Sequence, residues 1–149
     1  MDSQRGATSR AVEFSNNMKL LLMICAVLEA PVGFLFLLLP GVATSILLGV
    51  PLETPAGLVA GRLAGAAILA LGIVCWHSRE TPKSVTPALL CYNLAAAAIL
   101  VYAGIRLEMS SALLWPVMVI HFGLAVWCVL CLWAMYRTAA KANKSAVDE

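Results

Sequence analysis

Glu29, Arg62, Asn93 and His121 each stand well inside a separate apolar run, and Tyr92 adjoins Asn93. A carboxylate, a guanidinium and an imidazole can share or relay a proton. With an amide and a phenol beside them, they can also hold the polar head of a small molecule. If the runs cross a membrane, isolation is costly: a charged residue at the centre of a spanning helix is penalised by about 2.5 kcal/mol or more. Such a group escapes by pairing, by protonation or by facing a wet cavity. The helical rise of about 1.5 Å per residue turns sequence position into depth. Glu29 and His121 each fall ten residues from the end of their runs, about 15 Å deep and near the midplane. Arg62 and Asn93 fall six residues in, about 9 Å from opposite faces. Glu29, Arg62 and His121 are therefore expected to converge in the interior, with Asn93 below them and the hydroxyls of Tyr92 and Tyr102 nearby. Two uses compete. The cluster can be a structural clasp that fixes helix register, or a ligand-binding or proton-handling site, the default reading for ionisable groups inside a membrane. No residue set points to a catalytic centre.

The five cysteines form a second group. Cys25, Cys75, Cys91, Cys128 and Cys131 all fall in one half of the predicted spans, the half nearer the chain ends. That side is the cytoplasmic one in the orientation derived below, where structural disulfides are not expected. Cys128 and Cys131 make one C-x-x-C, and Cys75 and His77 are conceivable further ligands for a metal or redox centre. A single C-x-x-C without a second pair is a weak signal, and buried cysteine commonly packs as a small hydrophobe. No metal is assigned on this ground.

The elements that must position these groups follow from composition. The chain has 149 residues, of which 62% are hydrophobic and 12% charged, against roughly 45–50% and about 25% in soluble domains. A soluble fold of this size has too little interior to hide so much apolar surface. Four runs are long enough to span, at about 19–39, 56–76, 87–106 and 111–136, and helices are required because backbone groups in hydrocarbon must be satisfied internally. The first run exceeds a secretory signal's apolar core and is read as retained. Polar tails occupy residues 1–17 and 137–149. Between the first two spans, residues 40–55 are punctuated by proline and glycine and hold an apolar stretch too short to cross, expected to lie in the interface or tuck into the bundle. The fold class is thus all-α: a four-transmembrane-helix antiparallel bundle with a short interfacial segment. Arg5, Arg10, Lys19, Arg79, Lys83, Arg137, Lys141 and Lys144 flank one side and Arg106 alone the other. That bias places both termini in the cytoplasm, with the plasma (inner) membrane as the expected site. The net charge of +2 and the absence of a basic surface run give no reason to expect nucleic acid.

Gly57, Gly61 and Gly65 make two overlapping G-x-x-x-G steps, and Gly72 continues close to the same face. Small residues let helix backbones approach where the hydrophobic effect offers little help. An internal crossing is the favoured use, with contact between two copies as the alternative. The stretch from Pro31 to Trp76 resembles the DoxX-like group of small four-helix membrane proteins. The likeness is carried by a first helix that ends at Pro40, an apolar link, Arg-x-x-Gly at Arg62 and Gly65, and a Leu-Gly pair at Leu71 and Gly72. It covers the first two spanning helices and implies the four-helix architecture. Some members of that group are linked to thiosulfate:quinone oxidoreductases or to oxidative-stress complexes. No catalytic residue transfers.

The leading expectation is a non-enzymatic membrane protein that binds a lipophilic or weakly acidic small molecule, or a quinone, between helices, with Glu29, Arg62, Asn93, His121 and Tyr92 as polar fixings. The alternatives are a proton-coupled carrier working as a homodimer with Glu29 as the titrating group, an accessory subunit of a larger membrane complex, and a quinone-linked redox subunit using Cys128 and Cys131. The lipid bilayer is the partner common to all of them.

Overall fold

Proline and hydroxyl side chains set where the helices begin. In the computed structural model, which describes residues 2–147, Pro40 opens α2 (Pro40–Leu48) directly after α1 (Asp2–Leu38). Pro55 opens α3 (Pro55–His77), where Thr54 Oγ1 accepts from Gly57 N at 3.1 Å and so satisfies one orphan donor of the first turn. Two single-turn 3₁₀ segments, Ser78–Glu80 and Pro82–Ser84, lead to α4 (Thr86–Arg106). Before α5 (Leu114–Val147), Ser111 Oγ accepts from Leu114 N at 3.1 Å. There is no strand among the described residues.

Four stretches are long and apolar enough to cross a membrane: Ser15–Leu38, Pro55–Glu80, Thr86–Arg106 and Leu114–Ala140. They match the four predicted spans, and α2 is the short segment expected between the first two. The outermost helices run further than the apolar pattern implies. α1 reaches back to Asp2 and α5 continues to Val147. A nucleated helix extends at little cost through residues that are competent helix formers, and the Ala- and Lys-containing stretch after Tyr136 is of that kind. Large apolar side chains face outward on all four spans, among them Val27, Leu63, Ile99 and Leu130, as lipid contact requires.

The helices associate as two antiparallel pairs, α1 with α3 and α4 with α5. In the first pair the backbones nearly touch. A Cβ added at Gly33 would lie 2.9 Å from Gly65 O, and one added at Gly65 would lie 2.8 Å from Gly33 O. Further along, a Cβ at Gly72 would come 3.0 Å from Ala30 N, and one at Gly61 would come 2.7 Å from Pro40 Cβ. Gly57 instead neighbours Thr54 and Leu52 in its own entry turn. In the second pair, Leu89, Ala97, Leu100 and Ala103 of α4 are buried, as are Leu114, Leu124, Ala125, Cys128 and Cys131 of α5.

The pairs meet in the half of the bundle nearer the chain ends. Met18, Leu21, Leu22 and Cys25 of α1 form one apolar cluster there with Cys75 of α3, Leu89 of α4 and Leu124, Cys128 and Cys131 of α5. At the far end α2 provides the link. Ser111 Oγ donates to Leu47 O at 2.6 Å, and α2 ends at Gly49 in the left-handed conformation, φ 82°, which a side chain would strain.

Candidate functional site

Glu29 is 4% exposed on the inward face of α1, where the apolar cluster gives way to the middle of the span. The Tyr92 hydroxyl of α4 donates to its Oε2 at 2.9 Å. This is the side-chain hydrogen bond that joins α1 to α4 among the described residues. The Tyr92 ring meets His121 of α5 edge-on, with centroids 5.7 Å apart and planes at 78°. Asn93, the next residue on α4, is fully buried. Its Nδ2 donates to Leu89 O at 2.8 Å, so its Oδ1 faces His121 Nδ1 at 2.9 Å. An amide oxygen accepts only, so Nδ1 carries a proton, and in the neutral ring Nε2 is then the nitrogen free to accept. Three helices thus bring a carboxyl, a phenol, an imidazole and a carboxamide to one place at mid-span. Every buried side-chain nitrogen and oxygen among the described residues has a hydrogen-bond partner, as a low-dielectric interior demands.

Glu29, Tyr92, Asn93 and His121 come together as the sequence led us to expect; Arg62 does not. Its side chain is exposed on α3, and among the described residues it makes no hydrogen bond or ion pair. Two features of the chain explain the separation. Gly72 packs on Ala30, so Arg62, ten residues earlier on α3, lies about 15 Å along the axis from the level of Glu29. Gly65 faces α1 and Gly61 faces Pro40 at the start of α2, and one residue on from Gly61 is about 100° around the helix. Glu29 finds its partner in Tyr92 instead. Tyr102 is exposed and outside the cluster.

The cysteine readings divide in the same way. Cys25, Cys75, Cys128 and Cys131 are free, buried and packed within the apolar cluster, while Cys91 is free and exposed. His77 is exposed, with Nδ1 on Ile73 O of its own helix at 3.0 Å. Cys75, His77, Cys128 and Cys131 are therefore not gathered into a ligand set. Among the described residues, no group of three or more His, Cys, Asp or Glu side chains is placed to hold a metal.

At the level of the Cys75 end of α3, Lys19 Nζ pairs with Glu80 Oε2 at 2.5 Å. Arg79 donates to Trp76 O at 2.6 Å, and its guanidinium stands 4.4 Å from the Trp76 ring centroid. Arg137 lies 3.9 Å over Trp133 in the same manner. Both tryptophans sit near span ends, where the sequence pattern marks them as interfacial anchors. The arginines stacked on them are a further finding, one that their i, i+3 and i, i+4 spacings could have signalled.

Four apolar spans around a compact polar cluster define a small integral membrane protein of the all-α class. No family model, curated protein or solved structure matches the chain.

Proposed function

We propose that this protein binds a lipophilic small molecule with a neutral, hydrogen-bonding head, the class to which quinones belong, at the Glu29–Tyr92–His121–Asn93 cluster. The observation that carries this reading is a glutamate buried at mid-span whose partner is a phenol rather than a cation. Without a guanidinium in the cluster there is no fixed positive charge to hold an anion, so a neutral head is favoured over a weakly acidic one. The Tyr92 oxygen, the second Glu29 oxygen and the free Nε2 of His121 offer acceptors to a hydroxyl, and Glu29 in its protonated form offers a donor to a carbonyl. Apolar helix faces suit a hydrocarbon tail.

The test is titration of the purified protein in detergent with decylubiquinone, followed by calorimetry. One saturable site per chain is expected, weakened about tenfold or more by Glu29→Leu or Tyr92→Phe, the loss of a hydrogen bond to a buried polar group being worth about 1–3 kcal/mol. Arg62→Leu leaves binding unchanged. Full binding by Glu29→Leu overturns the proposal.

A proton-coupled carrier is a second reading, favoured by the closeness of three proton-carrying side chains. It predicts proton flux into proteoliposomes under an imposed potential, abolished by Glu29→Gln. The lysine and arginine bias supports an orientation with both termini cytoplasmic in a plasma membrane. The proline, Arg-x-x-Gly and Leu-Gly pattern supports kinship with the DoxX-like group.

A further inference from the structure

A second feature lies on the opposite side of α1 and is independent of the polar cluster. Between α1 and α3 runs an open groove of about 420 Å³, with walls that include Val27, Ala30, Pro31, Ile73, Trp76 and His77. Val27 and Pro31 each sit about 160° around the helix from Glu29, so the groove faces outward. Val27 and Ile73 are more than half exposed. The groove exists because Gly72 and Ala30 leave its floor without bulk. It runs lengthwise within the span, and from Gly72 to Arg79 the distance along the axis is about 10 Å.

What distinguishes it from the rest of the lipid-facing surface is its mouth. Trp76 forms part of the wall, and the Arg79 guanidinium is held over that ring, with one N–H committed to Trp76 O. Among the described residues at this level, Lys19 and Glu80 pair with each other, and Arg137 is stacked on Trp133 of α5. Arg79 is thus the described cation held against the groove wall. His77 beside it has Nδ1 engaged with Ile73 O and Nε2 free. An apolar slot that opens at the membrane surface under a fixed cation is complementary to a molecule with a hydrocarbon chain and an anionic head. Basic sites at the edge of spanning helices bind lipid head groups by this combination.

We propose that the groove is a binding site for an anionic phospholipid of the leaflet nearer the chain ends, one acyl chain lying along Val27, Ala30 and Ile73 and the phosphate resting on Arg79. The test is native mass spectrometry of protein released from micelles that contain equal amounts of phosphatidylglycerol and phosphatidylcholine. The wild type is expected to retain one phosphatidylglycerol in preference to phosphatidylcholine. Arg79→Gln reduces that preference about fivefold, the worth of one basic residue near a membrane surface. Val27→Trp fills the slot from an exposed position and abolishes retention of both lipids, as does Ile73→Trp from the opposite wall. Val59→Trp, an exposed position outside the groove, leaves retention unchanged. Equal retention of the two lipids by the wild type overturns the proposal. So does undiminished retention in both filled-groove variants, or a preference that survives Arg79→Gln.

Discussion

The α1–α3 pair and the α4–α5 pair are both antiparallel and both sheathed in apolar side chains, yet they are joined by different means. α1 and α3 meet backbone to backbone at Gly33, Gly65 and Gly72. α4 and α5 meet through side chains. Asn93 reaches His121, and a Cβ at Gly104 would run into the Trp115 ring at 2.9 Å rather than into backbone. The difference decides where polar chemistry can sit. A seam closed by glycine has no room for a functional side chain, so α3 contributes nothing to the polar cluster and Arg62 is left outside it. A seam closed by side chains can include an amide and an imidazole. Glu29 escapes the glycine seam because it lies on the face of α1 turned toward α4.

Substitutions can break this contrast or sharpen it. The largest effect is expected from Gly65→Leu, which drives a side chain into the α1 backbone and costs about 3 kcal/mol or more. Unfolding in mixed micelles, followed by circular dichroism, measures it; a stable Gly65→Leu would refute the close seam. Tyr92→Phe comes next. It strands the Glu29 carboxyl between the pairs and is expected to cost about 1–3 kcal/mol, and the restoration of stability by adding Glu29→Leu would show that the stranded carboxyl, not the lost packing, is responsible. Asn93→Ala is expected to cost about 1 kcal/mol, near the upper range for interhelical hydrogen bonds in membranes plus a small cavity. If it proves as damaging as Gly65→Leu, the two seams are not different in kind. The smallest effect belongs to Arg62→Leu, expected to change stability by no more than about 0.5 kcal/mol, as for surface positions away from special contacts. A large loss there would mean that Arg62 has a partner the monomer does not provide.

The sequence makes depth legible and rotation illegible, for a physical reason. Rise per residue is fixed, so the positions of Glu29, Asn93 and His121 along the span follow from counting residues alone. Rotation is normally read from a contrast between a polar and an apolar face. In lipid that contrast is missing: Leu21 is fully buried and Leu20 is 47% exposed, though the side chains are identical. The glycines hold the missing information for α3. Once Gly65 and Gly72 are taken as facing α1, with Gly61 on Pro40 just beyond it, Arg62 is turned away from α1 and the partner of Glu29 must come from another helix. The apolar pattern stops short of the ends of α1 and α5 because a drop in hydropathy marks where the membrane stops, not where a helix does. The outward groove leaves no polarity signal at all, since it arises from side chains that are merely small.

The orientation of Asn93 has a further consequence for His121. Its amide is fixed by Leu89 O at one end, and the imidazole therefore holds a single tautomer, with only the remote nitrogen able to exchange hydrogen with a bound molecule. Nitrogen-15 spectra of selectively labelled protein in a bilayer should then show one protonated and one bare ring resonance in the empty state, and a ligand that donates to the ring should move the second and leave the first in place.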